Sequence, residues 1–247
     1  MSEEEQETSE SGAPIYRYDE QEERGFRVPE GESALEEITD HVEKYFGPVS
    51  GVYHEIVSDL VHIDVLIVQP TEKYNFYTLV TSGMSDLPMT VPEGREEYRY
   101  AELFLMLPPD WPLGEKEVNR DNRYYWPIFW LKAIARFPHD YRTWIASGHT
   151  IPNGEETAPL GDGTDLGCVM TIATTTPHDD FGVLRVNDDK VINLYNLFPL
   201  YREEMDYKLK EGLEALADKM VEYDISEIID PNRPNMCKKK RGLFGLW

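Results

Sequence analysis

Cysteine is scarce in this chain of 247 residues: only Cys168, in an apolar strand-like run, and Cys237, in a charged tail, occur. Two thiols in such unlike settings do not form a disulfide framework, and they fit a reducing compartment. No run approaches the ~20 apolar residues that a membrane-spanning helix needs. The start, Met1-Ser2-Glu3-Glu4-Glu5, has neither the basic nor the apolar region of a secretory signal, so a cytoplasmic protein is predicted. Positive charge is also in short supply. Against 47 Asp and Glu stand 24 Lys and Arg, a net charge of −23. A chain this acidic repels phosphate backbones, which argues against direct nucleic-acid binding and suits either solubility alone or a basic partner.

Catalytic signatures are equally sparse. There is no His-Glu-x-x-His and no Cys-x-x-Cys, so no metal and no cofactor is predicted. His62 and Asp64 lie two apart on a strand and share a face; with His54 nearby they outline a conceivable polar site. Ser82 lies in Thr81-Ser82-Gly83-Met84-Ser85, which lacks the Gly-x-Ser-x-Gly elbow. Cys168 pairs with His149 only on paper, since its apolar neighbours describe a buried, inert thiol. Gly161-x-Gly163-x-x-x-Gly167 follows a loop and precedes a strand, the wrong context for a dinucleotide. Tyr124-Tyr125-Trp126 with Phe129 and Trp130 reads as core or interface packing rather than a base-stacking platform.

What is present builds a domain. Residues Met1 to Glu32 hold eleven acids and three arginines with few aliphatics, a composition that predicts disorder, although Tyr16, Tyr18 and Phe26 could dock locally. Ser33 and Glu36 form a candidate capping box before a helix with Leu35, Ile38, Val42 and Tyr45 on one face, stopped at Gly47-Pro48. Strands are predicted at 52–57, 61–68, 74–81 and 98–107, joined by short connections as an antiparallel meander. A helix is predicted from Pro127 to Phe137, a loop from Ser147 to Asp165, and strands at 167–172, 182–186 and 191–198. One long helix then carries the stripe Met205, Leu209, Leu213, Leu216 and Met220. The order implies an α+β domain, a mostly antiparallel or mixed sheet flanked by helices, over residues 33–236. The tail 237–247 is basic and aromatic: Lys238-Lys239-Lys240-Arg241, then Gly242-Leu243-Phe244-Gly245-Leu246-Trp247. It is predicted to be solvated, and trimming both ends to leave the fold intact.

Several stretches in order carry a resemblance. They are Val61-His62-Ile63-Asp64-Val65-Leu66-Ile67-Val68-Gln69-Pro70-Thr71, Tyr77 through Asp86, Met89-Thr90-Val91-Pro92-Glu93, Tyr100-Ala101-Glu102-Leu103 and Leu107-Pro108-Pro109-Asp110-Trp111. Tyr125-Trp126-Pro127, Gly148-His149-Thr150-Ile151-Pro152-Asn153, Phe198-Pro199-Leu200-Tyr201 before Glu203-Glu204-Met205, and Asp230-Pro231-Asn232-Arg233-Pro234 extend it. Together these resemble the suppressor-of-fused domain in its stand-alone bacterial form. The resemblance implies an α+β domain without catalytic activity. The animal namesake holds a transcription-factor peptide between two domains by strand addition, and this chain resembles only the first of those. Bacterial members are similar to immunity proteins of polymorphic toxin systems.

The reading is therefore a non-catalytic protein-binding module, an immunity or inhibitor protein whose partner is a toxin, with a basic toxin domain matching the acidic chain. Its partner-binding candidates are Asp64, Ser82, Met84, Asp86, Glu102, Asp110, Trp111 and His149. The acids would steer toward a basic face, while Met84 and Trp111 would anchor. The competing readings are an enzyme built on His62, Asp64 and His149, and a scaffold whose charged tails do the work.

Overall fold

In the computed structural model, residues 7–18, 33–55, 61–113, 122–174, 176 and 178–238 are described. Phe26, the predicted strand end at Ile56 and Val57, and the tail from Lys239 to Trp247 lie outside the described residues.

Four strands open the sheet: β1 (Val49–Tyr53), β2 (Asp64–Val68), β3 (Tyr77–Ser82) and β4 (Tyr100–Leu107). They pair in sequence order and antiparallel, as the short connections predict. The run Tyr-Ala-Glu-Leu-Phe-Leu-Met-Leu of β4 is buried from Ala101 onward, as a strand covered on both faces must be. Leu103, Leu105 and Leu107 join one core, while Phe104 and Met106 join another on the opposite face.

The second half of the chain enters the sheet from the middle. β5 (Thr150–Pro152), β6 (Cys168–Ile172), β7 (Val183–Arg185) and β8 (Val191–Leu200) give the order β1-β2-β3-β4-β8-β6-β5, with β7 beside β8. β4 and β8 run parallel, so the sheet is mixed rather than a pure meander.

Helices cover both faces. α1 (Leu35–Phe46) packs Ile38, Val42 and Phe46 over Phe104, Met106 and Phe181. Leu35 is exposed, and His41 takes the buried place, its Nε2 donating to the Phe181 carbonyl at 3.0 Å. The capping box does not form: Ala34 is the N-cap and has no side-chain bond. The Asp86 carboxylate, from a distant turn, lies near the Ala34 backbone N–H, where negative charge suits a helix start.

α2 (Asn122–Asp140) is longer than predicted and contains Pro127 and Pro138. Each proline removes a helix hydrogen bond. The helix continues because burial favours it: Trp126, Ile128, Leu131, Ile134 and Ala135 all enter the core against β4. The predicted long C-terminal helix is two, α3 (Arg202–Glu211) and α4 (Leu213–Glu222). Gly212, at φ +97°, breaks it in a conformation that side-chain-bearing residues rarely adopt.

Residues 7–18 also depart from the predicted disorder. Thr8 bridges Pro14, and the Ser11 N–H donates to the Leu209 carbonyl at 3.1 Å. Tyr18 meets Phe137 edge-on at 5.2 Å, lies 5.4 Å from Tyr141, and shares a 2.6 Å hydroxyl contact with Thr143. These ring and hydroxyl contacts, made while Tyr18 stays 37% exposed, help to offset the ordering entropy that the polar composition alone could not.

Candidate functional site

The register places Asp64 opposite Ser82, and the Val80–Phe104 pair sets Glu102 beside the end of β3. Asp64, Ser82, Met84, Asp86 and Glu102 are thus brought to one end of the sheet. They do not form a surface there. Glu102 is wholly buried and accepts four hydrogen bonds. The Thr81 hydroxyl donates to Oε2 at 2.5 Å, while the N–H groups of Gly83 (3.0 Å) and Ser85 (2.9 Å) and the Ser85 hydroxyl (2.7 Å) donate to Oε1. Burial still dominates, holding its pKa above the ordinary glutamate value against those donors.

The turn that Glu102 clamps is tight. Gly83 has φ +118°, and a Cβ there would fall 1.9 Å from the His62 carbonyl oxygen. Met84 is buried, its carbonyl accepting from His139 Nε2 at 2.9 Å. Asp86 is half-buried at the start of α1, and burial raises its pKa above the usual carboxylate value. As partner-contacting side chains, Ser82, Met84 and Glu102 are corrected: they build the turn from inside. Glu102 follows the strand alternation and is buried because the turn backbone supplies its donors.

Beside this end lies an open cleft of about 360 Å³ between α2 and the chain leaving β1. Its lining is Tyr125, Phe129, Lys132, Ala133 and Arg136 from one face of the helix, with His54 and Glu55 opposite. Phe129 is 52% exposed there, and its ring meets Trp130 edge-on. Glu55 is fixed by an ion pair with Arg136 and by the Ile63 N–H at 3.0 Å. Asp64 holds both neighbouring imidazoles, His54 Nδ1 at 3.0 Å from Oδ2 and His62 Nε2 at 3.0 Å from Oδ1, and accepts the Glu55 N–H at 3.1 Å. Lys132 reaches the Tyr53 carbonyl at 3.4 Å, and burial lowers its pKa against the pull of Asp64. Among the described residues no group of three His, Cys, Asp or Glu side chains is arranged to hold a metal ion.

The remaining candidates are elsewhere. Asp110 is exposed in a turn beyond the far end of β4, and the strand from Glu102 to Leu107 alone spans roughly 16 Å at ~3.3 Å per residue. Trp111 beside it is buried, its Nε1 donating to the Tyr124 carbonyl at 3.1 Å and its ring lying 6.5 Å from Trp126, so it is a core residue and not an exposed anchor. His149 leads into β5, five strand positions from β2, which is roughly 24 Å at ~4.8 Å per strand. His62, Asp64 and His149 therefore do not make one site. Burial, with Lys208 nearby, pushes the His149 pKa down to about 4, and its ring lies 4.8 Å from Trp144. The Cys168 thiol is pushed up to about 12, first by burial and then by the charge of Glu204, which leaves it protonated and unreactive at neutral pH.

Of the cleft residues, the sequence offers Phe129 only as core or interface packing, and Lys132 and Arg136 escape it. The available signal was their i, i+3, i+4 spacing with Tyr125, a second aromatic stripe on a helix already supplied with an apolar face.

Comparison with known proteins places this architecture. No curated protein matches the chain. A SUFU homologue from Neisseria gonorrhoeae superimposes with a TM-score of 0.53 at 15% identity, covering 81% of this chain and 95% of that one. A chain of the Sufu–Fu complex gives 0.58 at 13% identity, covering 85% and 93%. Drosophila Suppressor of Fused gives 0.57 at 11% identity over 85% of this chain, which spans only 52% of that protein. At these identities the likeness shows the fold. The family model for Suppressor of fused protein (SUFU) matches residues 59–234, most of the sequence, and the chain belongs to the suppressor-of-fused family, whose domain is generally a protein-interaction module.

Proposed function

We propose that this chain is a cytoplasmic, non-catalytic inhibitor that neutralises a toxin by binding it through the cleft between α2 and the end of β1. The observation that carries the reading is Phe129, half-exposed in a concave site and ringed by Lys132, Arg136, Glu55 and His54. An exposed aromatic in a polar rim, here with Tyr125 beside it, is how protein interfaces concentrate binding energy. The Sufu–Fu complex, a neighbour in fold, is itself an assembly of two proteins. The net charge of −23 supports a basic partner through long-range attraction, independent of any one acid. Within the cleft, Lys132 is available to a partner acceptor: among the described residues its hydrogen bond is a long one to a backbone carbonyl, and Asp64 acts on it through charge.

The test is co-expression with the product of each gene that neighbours this one in its host. Growth should be rescued and the two proteins should co-purify, and Phe129→Asp should abolish both while leaving the melting temperature unchanged. Neighbouring products that are all harmless, or that do not bind, would overturn the immunity role. Binding that survives Phe129→Asp would overturn the cleft.

A further inference from the structure

α4 presents a face left largely open among the described residues, with only its first residue, Leu213, lying against Gly148. Leu213, Ala217 and Val221 recur at four-residue spacing along it, all exposed, with Val221 at 82%. One row around the helix stand Glu214, Asp218 and Glu222, also exposed. At 100° per residue these are two adjacent bands, one apolar and one acidic. The inner side of α4 is spent on Leu216, which is fully buried beside Cys168 and Met205.

The described chain ends next to this helix. Met236 is buried in the same small core, and Cys237 packs against it together with Met220 and Ile225. Cys237 is near enough to Lys219 of α4 to feel its charge. Lys238 follows, and then Lys239, Lys240 and Arg241 precede Gly242-Leu243-Phe244-Gly245-Leu246-Trp247. The chemistry is the inverse of the α4 face: a cationic block, then an aromatic-aliphatic block, in a chain otherwise dominated by acids. Nine residues reach up to ~30 Å when extended, and α4 is ~15 Å long, so the tail can traverse the helix from its exit point.

We propose that residues 239–247 dock in cis on α4, the basic residues along Glu214, Asp218 and Glu222 and the apolar residues on Leu213, Ala217 and Val221. The tail thereby shields an apolar stripe and neutralises three of the surplus acids. This site is separate from the cleft at Phe129 and does not depend on the toxin reading.

Trypsin cleavage after Lys239, Lys240 and Arg241, followed by mass spectrometry on the full chain at several dilutions, tests the proposal. Reversing the helix charges (Glu214→Lys, Asp218→Lys, Glu222→Lys) should speed tail cleavage about tenfold, corresponding to about 1.4 kcal/mol of docking. Val221→Asp should also speed it. Combining the reversed helix with Lys239→Glu, Lys240→Glu and Arg241→Glu should restore the slow hydrogen exchange of α4 seen in the unaltered chain, a readout that reduced folding would not produce. Cleavage unchanged by the helix variants overturns the proposal. Protection that fades on dilution, with a dimer in light scattering, overturns docking in cis and assigns the face to a second copy. Tail-dependent binding to phosphatidylserine vesicles with unaltered α4 exchange overturns it in favour of a membrane surface.

Discussion

Arg233 grips Glu204 across 29 residues of sequence by two parallel hydrogen bonds, Nη1 to Oε1 at 2.7 Å and Nη2 to Oε2 at 2.5 Å, with both side chains buried. The same carboxylate accepts the N–H groups of Tyr201 and Met236, each at 3.0 Å. The guanidinium also donates to the Pro199 carbonyl at 3.0 Å and lies over the rings of Phe198 and Tyr201. The closing segment is thus stapled to the first turn of α3. Arg233→Met leaves a buried carboxylate unpaired and should cost about 3–5 kcal/mol in urea unfolding. Arg233→Lys should recover little, since one ammonium cannot serve a planar fork. The double variant Arg233→Met with Glu204→Leu should be more stable than Arg233→Met alone.

That staple was half legible. Phe198-Pro199-Leu200-Tyr201 and Asp230-Pro231-Asn232-Arg233-Pro234 stood out as motifs, but nothing local says that Glu204, rather than Glu203, is the buried partner. Strand positions were readable wherever β-branched residues ran between turn residues, as in β2 and β3. The parallel β4–β8 pairing was not, because it joins segments about ninety residues apart with no turn to announce it. Glu102 misled for a related reason. An acid in a strand suggests an exposed face, unless a turn of glycine and hydroxyl residues folds back to donate to it. The break at Gly212 was visible as a glycine, yet the apolar stripe continues across it and masks the change of axis.

Glu102 sets a pH dependence. Its folded-state pKa is raised by burial, so the folded protein keeps this proton to a higher pH than the unfolded chain does. Stability is then greatest below the unfolded carboxyl value and falls as pH rises from there through the folded value. Glu102→Gln should flatten that fall, measured as urea midpoints from pH 4 to 8. Its carbonyl oxygen can keep the Gly83 and Ser85 donors, and its amide can donate to the Thr81 hydroxyl oxygen. A residual slope of the same sign should remain from Asp86, whose pKa is also raised by burial. Glu102→Ala, which orphans those donors, should cost about 3 kcal/mol at low pH, and the cost should shrink as pH rises through the folded Glu102 value.

Tyr18 tethers the amino-terminal segment through Phe137, Tyr141 and Thr143. Tyr18→Ala should therefore lower stability by about 1 kcal/mol, the usual worth of an aromatic pair with a hydroxyl contact. Tyr16→Ala, at an exposed neighbour, should leave the melting temperature unchanged. Removing residues 1–18 should reproduce the Tyr18 effect, whereas removing residues 1–6 should not. Equal melting temperatures for all four variants would show that the contact adds nothing to stability.

The cleft and the net charge make separable predictions about binding. Asp86 and Asp110 lie at opposite ends of the sheet, and Asp86 is half-buried at a helix start, so no single acidic patch unites them. If the partner is the basic toxin proposed above, its attraction must come from the summed field of the −23 charge, which is screened beyond ~8 Å at physiological ionic strength. Association should therefore slow as salt rises from 20 to 300 mM, and reversing one exposed acid such as Asp110→Lys should change the on-rate only slightly. The cleft acts after encounter. Phe129→Ala removes a preformed anchor and should speed dissociation at least tenfold, about 1.4 kcal/mol or more, with the on-rate and its salt dependence preserved. Lys132→Met tests the rim: losing the ammonium should speed dissociation if a partner acceptor meets it, and the methionine keeps the packing of the stem. Surface plasmon resonance at both salts, on variants with unchanged melting temperatures, reads both effects at once. If Phe129→Ala instead altered the on-rate alone, the ring would belong to the encounter and not to the bound interface, and the anchor would have to be sought on another face.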